Sequence, residues 1–410
     1  MTKKIIILLC IPFLLIGQEY KSEISLQSNI EIESSSFDNS FLQKLLFTGY
    51  ITDSIKEDLL NSLDENNIIN SQIKNTLKYT YNFKNNKLIF SISDINLINM
   101  NLKKDLIHLG FEGNFGYQDK TLNFSNTYIR ADRFQQFKIV YGSLINNIGL
   151  SFGCSYLLGN HHFNYIINKG SLYTAPYGNY LNLEYDINTF MTDTSNITPF
   201  ANNGQGIAVD FSTLFKIKTY ELNLSVEDLG YIIWGSSSMT LGVDSTFTFS
   251  GIEIADIYNF NDSILETSNI IDDFNDTKKK SFKSYIPATI NFAISNNLNN
   301  KYLNYYRAGV IAKWQPLIDN TSLSFEKIKQ GIDESNFKPL YYFNSIFKIK
   351  KYELIPSISY GGYTNNYNFG FAISIGNKNK LLIGANHLEG LINYENAQAI
   401  SLQLNIKLQF

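Results

Sequence analysis

In 410 residues the chain holds only three arginines (Arg130, Arg133 and Arg307), four histidines and two cysteines. At a formal net charge of −3, so little arginine excludes the clustered basic face of a nucleic-acid-binding protein, and no nucleic-acid partner is expected. Cys10 lies in an N-terminal apolar run, so loss of that run leaves Cys154 alone and excludes an intrachain disulfide. The histidines have no cysteine or carboxylate at ligand spacing and no G-x-S-x-G elbow beside them, so no metal, no cofactor and no enzymatic activity are expected. Beyond the N-terminus no apolar run approaches the roughly 18 residues a membrane helix needs. A chain of this kind crosses a membrane only as a closed β-barrel, the other architecture that satisfies every backbone group in lipid.

What is present begins with "MTKKIIILLCIPFLLIGQ": Lys3 and Lys4, an apolar run from Ile5 to Ile16, then Gly17. This pattern predicts a signal peptide over 1–17, with export and a barrel over 18–410. Removal of the two lysines takes the net charge to −5. With 14% aromatic and 17% charged residues, the rest is too apolar for disorder.

Period-two alternation recurs throughout, and about fourteen segments show it, in line with the even strand counts of outer-membrane barrels. The chain ends in "ISLQLNIKLQF", where Ile400, Leu402, Leu404, Ile406, Leu408 and Phe410 alternate with polar residues. One face of such a strand meets apolar surroundings and the other does not. Asn85-Asn86 and Asn146-Asn147 are expected hairpin turns, with further short connections at 217, 296–301, 350 and 377–378. The intervening connections, 97–133, 159–203, 229–285 and 315–337, read as long loops. Short turns on one side and long loops on the other are the signature of an all-β transmembrane antiparallel barrel with periplasmic turns. Both termini then fall at the short-turn end, where the last strand pairs with the first, and Phe410 marks the strand the barrel assembly machinery would receive. Tyr79, Tyr81, Phe83, Trp314, Tyr341, Phe343, Tyr352, Tyr360 and Tyr367 fall at strand ends, where interfacial girdles sit.

One insertion, at 36–68, breaks the alternation. "TDSIKEDLLNSLDENN" offers a capping box of Ser54 with Glu57 and sets Ile55, Leu59, Leu60 and Leu63 on one helical face. "NLKKDLIHLGF" gives a weaker helical pattern. Such helices either plug the lumen or pack on its rim. Among polar candidates, His161-His162 reads as a polar turn, and His108 and His387 carry no assigned role. "IIDDFNDTKKK", with Asp272, Asp273 and Asp276 before Lys278, Lys279 and Lys280, reads as a solvated loop. In "YYRAGVIAKW" the alternation sends Arg307 and Lys313 to the lumen, and in "GIAVDFST" it sends Asp210 there. These three are the candidate plug or ligand contacts, Arg307 with Asp210 as a charge-assisted pair or Arg307 as the receiver of an anionic headgroup.

"SSFDNSFLQKLLFTGYITDSIKEDLLNSLDENN", "LSVEDLGYIIW" at 224–234 and "SYIPATINFAIS" at 284–295 together resemble an uncharacterised barrel family of Bacteroidota. That family is similar in fold to the fatty-acid transporter FadL and to PorV of the type IX secretion system. The resemblance implies an outer-membrane barrel of about fourteen strands with an internal plug, for which the insertion at 36–68 is the available segment. Two functions follow as expectations: binding or passage of a small hydrophobic compound, or a non-transporting scaffold or shuttle whose loops meet secretion-system proteins. Outer-membrane lipid is the expected surrounding in both.

Overall fold

A computed structural model describes residues 21–46, 49–193, 195, 198–250, 278–298, 300, 302–317 and 325–410. The expected signal peptide and Asp272, Asp273 and Asp276 lie outside the described residues. Nineteen strands form one antiparallel sheet: β1 (Ser22–Ser34), β2 (Asn66–Phe83), β3 (Asn86–Lys103), β4 (Lys120–Asn123), β5 (Thr127–Ile145), β6 (Ile148–Thr174), β7 (Leu181–Met191), β8 (Gly204–Ile217), β9 (Tyr220–Trp234), β10 (Met239–Phe249), β11 (Lys278–Lys279), β12 (Lys283–Tyr285), β13 (Ala288–Asn297), β14 (Leu303–Trp314), β15 (Lys338–Ile349), β16 (Tyr352–Gly362), β17 (Asn366–Ile375), β18 (Lys380–Ala385) and β19 (Ala399–Gln409). Fourteen of them, all but β4, β7, β10, β11 and β12, close a barrel. Its seam is β1 on β19, in register from Glu23↔Gln409 to Glu33↔Ala399, so no edge is left to lipid.

Alternation decides which face is which. On β1, Ile24, Leu26 and Ile30 are exposed while Ser25 is buried; on β19, Leu402, Ile406 and Leu408 are exposed and Ser401 is buried, and Phe410, just after the strand, is exposed too. Phe152, Ile207, Phe292 and Phe369 continue the apolar belt around the wall. In a soluble protein such a surface would be covered; here the chain closes on itself and turns the belt to lipid. The apolar face of the final strand therefore meets the bilayer.

The hairpins at the terminal end are tight. Two-residue turns follow Phe83, Ile145, Ile217 and Ile349, and Lys84, Asn146, Lys218 and Lys350 open them with φ between 54° and 57°. The first turn is Lys84-Asn85, not the expected Asn85-Asn86: Asn86 already pairs with Phe83. The third is Lys218-Thr219 rather than residue 217. Lysine tolerates this left-handed region poorly compared with asparagine, which is why sequence alone favoured the Asn pair.

The long-loop end differs from expectation in two ways. First, much of it is sheet. β6 is 27 residues long; its first part pairs with β8 and its last part with β7. β7 then pairs with β10 along all of β10, so 159–203 is largely strand. Second, the helical insertion is no plug. Helices α1 (Asn39–Leu46) and α2 (Asp53–Ser62) pack Phe37, Phe41, Leu42, Leu59, Leu60 and Leu63 against Ile32, Ile69, Met100 and Leu102, together with Ile107 of α3 (Lys104–Glu112). Ile32, Ile69, Met100 and Leu102 stand at outward positions of β1, β2 and β3, the parity of the exposed Ile30, Ile73 and Ile98. The helices thus form a shoulder on the outer wall. Thr52, not Ser54, caps α2, accepting from the Ile55 amide at 3.4 Å. Trp314 is also covered rather than in the girdle: Gly331 of α4 (Phe325–Glu334) sits on its ring, where a Cβ would approach Nε1 to 2.3 Å.

Candidate functional site

The lumen is filled on one side by inward residues of the wall itself. Ile95, Phe134, Leu157, Ala208, Ile232 and Trp234 form a buried cluster with Ile286. Ile286 and Phe282 flank β12, which is held to β9 by the Trp234 amide donating to Phe282 O at 2.8 Å and the Ile286 amide to Gly230 O at 3.1 Å. The run into "SYIPATINFAIS" thus continues the β13 wall along β9 and turns Ile286 onto these inward residues, while the insertion at 36–68 packs on the outer wall. A one-residue bulge between β8 and β9 makes room for it: Val209 pairs with Leu229, but Phe211 pairs with Val226. The extra residue turns Asp228 to φ 60° and reverses the inward and outward faces of β9 beyond it.

Two arcs of chain from the 315–337 connection close the long-loop mouth. Arg130 on β5, 2% exposed, donates to Tyr285 O and, at 3.3 Å, to Pro316 O. Asn164 donates to Leu317 O at 2.9 Å, and Asn336 to the Tyr128 hydroxyl at 2.8 Å. Arg130 Nε lies 2.6 Å from Asp132 Oδ2, and Asp132 Oδ1 lies 2.7 Å from His162 Nδ1. The His162 ring stacks on Trp234 at 5.3 Å. His161 and His162 are thus within β6, not in a polar turn, and His162 belongs to the lid's support.

Beneath the lid lies a chamber of about 450 Å³. One wall is apolar, with Ile95, Leu97, Phe134, Ile311 and Leu340; the other carries Glu31, Glu33, Lys313 and His387. Of the three candidate residues, Lys313 alone lines this chamber, its ammonium 4.9 Å from the Phe337 ring and 4.7 Å from that of Tyr363. Among the described residues no carboxylate lies within ion-pair distance of it. Asp210 points inward but pairs with Lys138 at 2.6 Å and accepts the Asp228 amide at 2.7 Å. Arg307 sits between Ser295 and Asn344, 5.9 Å from the Tyr342 ring. Arg307 and Asp210 form no pair with each other, because β14 and β8 stand apart in the barrel order.

His387 is the clearest residue that sequence reasoning missed. It lies in the connection after β18, beyond the strands, with Nε2 3.4 Å from Glu33 and Nδ1 3.1 Å from Glu389. Burial opposes its charge, but the hydrogen bonds to Glu33 and Glu389 outweigh it and lift its pKa from 6.5 to about 9. The folded state therefore binds this proton more tightly than the unfolded one. The resulting stability is full below about pH 6.5 and is lost as pH rises through about 9. Urea midpoints of wild type and His387→Gln should differ most at pH 6 and converge at pH 10; a constant difference would refute the charged state. No spacing pattern announces His387, because Glu33, the partner it reaches across the seam, stands on β1 at the other end of the chain. Glu31 and Glu33 were missed as well, although their alternation with Ile30 and Ile32 is the signal that places them on the inner wall.

A closed barrel with an apolar outer belt, a polar inner wall and a lidded chamber is a transmembrane β-barrel. This chain belongs to the family of unknown function DUF5723, whose sequence profile matches residues 16–386. No curated protein matches it. Among solved structures it is similar to the toluene transporter TbuX of Ralstonia pickettii (7% identity, 96% of this chain and 90% of that one, TM-score 0.44). A FadL homologue of Pseudomonas aeruginosa gives 9% identity over 94% and 89%, with TM-score 0.43. The translocator domain of the autotransporter NalP from Neisseria meningitidis gives 8% over 96% and 90%, with TM-score 0.37.

Proposed function

We propose that this protein is an outer-membrane barrel that binds a small, largely hydrophobic compound in its chamber and passes it through the lumen. The chamber carries this reading: about 450 Å³ falls within the range of small-molecule pockets, and the apolar patch of Ile95, Leu97, Phe134, Ile311 and Leu340 on an otherwise largely polar wall offers an apolar body its contact while polar groups orient it. Lys313 supplies the polar contact, its ammonium beside the Phe337 and Tyr363 rings with no carboxylate among the described residues at ion-pair distance. The lid over the chamber makes passage conditional on movement of 315–317, tied to Arg130 and Asn164 by hydrogen bonds, and of 335–337, tied to Tyr128 by a hydrogen bond and to Ile68 and Tyr363 by the packing of Phe337. Export through the N-terminal run and insertion by the assembly machinery through the strand ending at Phe410 belong to the same proposal.

The test is mass spectrometry of what co-purifies when the tagged protein is taken from native outer membrane in mild detergent. An apolar or amphipathic compound at near-stoichiometric amount, reduced in a Leu97→Lys variant, supports the reading. Partner proteins without any small ligand would overturn it in favour of a scaffold.

A further inference from the structure

Below the chamber, the inner wall carries a row of lysines interleaved with serines. The pairing register sets Lys138 of β5 opposite Ser91 of β3, Ser91 opposite Lys78 of β2, and Lys78 opposite Ser25 of β1. Ser25 in turn stands opposite Lys407 of β19, and Lys407 opposite Lys380 of β18. Six consecutive strands thus present Lys138, Ser91, Lys78, Ser25, Lys407 and Lys380 at one level. All face the lumen, because their neighbours Leu26, Leu77, Ile92, Phe137, Ile139, Leu381, Ile406 and Leu408 are exposed on the outer wall.

Three of the four ammonium groups have carboxylate partners: Lys138 with Asp210 at 2.6 Å and Asp228 at 2.7 Å, Lys380 with Glu353 at 2.7 Å, and Lys407 with Glu23 at 3.6 Å. Lys78, in the middle, has none among the described residues. Beside it the Ser25 hydroxyl is buried, with the residue 1% exposed, and has no hydrogen-bond partner. An orphaned buried hydroxyl next to an unpaired ammonium is costly unless something accepts from both. The lysines around them offer only donors, and the carboxylate on the same face, Glu23, is taken up by Lys407 at 3.6 Å and by the Gln409 amide at 2.9 Å, so the partner that Lys78 and Ser25 lack is a further acceptor, best an anion. The adjoining turns at this end hold lysines such as Lys84, Lys218, Lys350 and Lys351 and no aspartate or glutamate, which raises the local concentration of anions at this mouth.

We infer that Lys78, Ser25 and Lys407 form an oxyanion-binding site on the lumen wall, taking a phosphate or carboxylate group of a soluble anion or of a lipid headgroup. The site shares no residue with the chamber lining, so it stands or falls independently of the apolar ligand proposed there.

The test uses the full-length barrel in the uncharged detergent dodecyl maltoside, with folding checked by its faster migration before boiling. Binding of inorganic phosphate and of short-chain dihexanoyl phosphatidylglycerol is followed by ³¹P NMR. Either probe should bind, weaken with added salt, and lose about 10-fold in affinity in Lys78→Gln, the loss of one charge-assisted contact. Ser25→Ala, which removes only the hydroxyl, should weaken it in the same direction, while the turn variant Lys84→Gln should not. Binding of phosphate assigns a soluble oxyanion, and binding of phosphatidylglycerol alone assigns a headgroup. Absence of binding by both probes, or equal losses in Lys84→Gln and Lys78→Gln, would overturn the site.

Discussion

Replacing Arg130 by methionine should destabilise the barrel by about 3–5 kcal/mol, the usual cost of removing one partner from a buried ion pair. The guanidinium is 2% exposed and has three kinds of partner: the Asp132 carboxylate, Tyr285 O and Pro316 O. Its loss leaves the buried Asp132 carboxylate with His162 alone beside it, and leaves the Tyr285 and Pro316 carbonyls without this donor. The expectation is specific to the uncompensated charge. Asp132→Asn added to Arg130→Met should therefore recover part of the loss, since a neutral amide is far cheaper to bury. Urea unfolding followed by tryptophan fluorescence reads both, because the chain's two tryptophans, Trp234 and Trp314, are buried. A loss below about 1 kcal/mol, the scale of an exposed pair, would show that water already reaches this site. Detachment of Pro316 should also open the long-loop mouth, seen as faster protease cleavage of the 315–337 connection.

The residues of this network show what sequence could and could not reveal. Strand alternation reports a face, and by parity Lys313, Arg307 and Asp210 stand on the inner wall, though Lys313 alone of them lines the chamber. Parity says nothing of which inward residues meet across a lumen, and there Arg307 and Asp210 parted company. Arg130 and Asp132 share a face by their spacing of two, yet reading them as a lid clamp needs the carbonyls of Tyr285 and Pro316, far away in sequence. The helical insertion shows another limit. Its amphipathic pattern fixed the buried face of α2 well, but an apolar face fits the outer wall of β1–β3 as well as it fits a lumen. The outer wall wins because Ile32, Ile69, Met100 and Leu102 continue the outward apolar parity past the end of the lipid belt. Left without the helices, they would stand uncovered at the long-loop end. The fourteen strands were legible because lipid on one side and a polar lumen on the other enforce strict period two; the β8–β9 bulge was not, since one extra residue leaves the composition unchanged.

Trp234→Ala should cost about 3–5 kcal/mol, the range for removing a buried aromatic side chain, and should also make the lumen leakier to ions. Trp234 is fully buried, and its ring is gripped on several sides. Nε1 donates to Ser284 at 2.8 Å, His162 stacks at 5.3 Å and Phe282 lies at 6.3 Å. Gly159 and Gly204 complete the contact: a Cβ at these positions would fall 2.6 Å and 2.7 Å from ring carbons. The glycines are there because the ring takes their side-chain space. Removing the ring therefore leaves a void that the neighbouring backbones cannot fill, since both are pinned in the barrel ladder by β6–β8 and β8–β9 pairs. A void in a soluble core stays closed, but this one adjoins Phe134, Ile232 and Ile286, side chains that themselves occlude the lumen. Single-channel recordings in planar bilayers should show higher conductance for Trp234→Ala than for wild type, and Phe282→Ala should act in the same direction. If stability falls while conductance stays unchanged, the lumen is sealed elsewhere, and the packing of Trp234 on Phe282 and Ile286 does not narrow it.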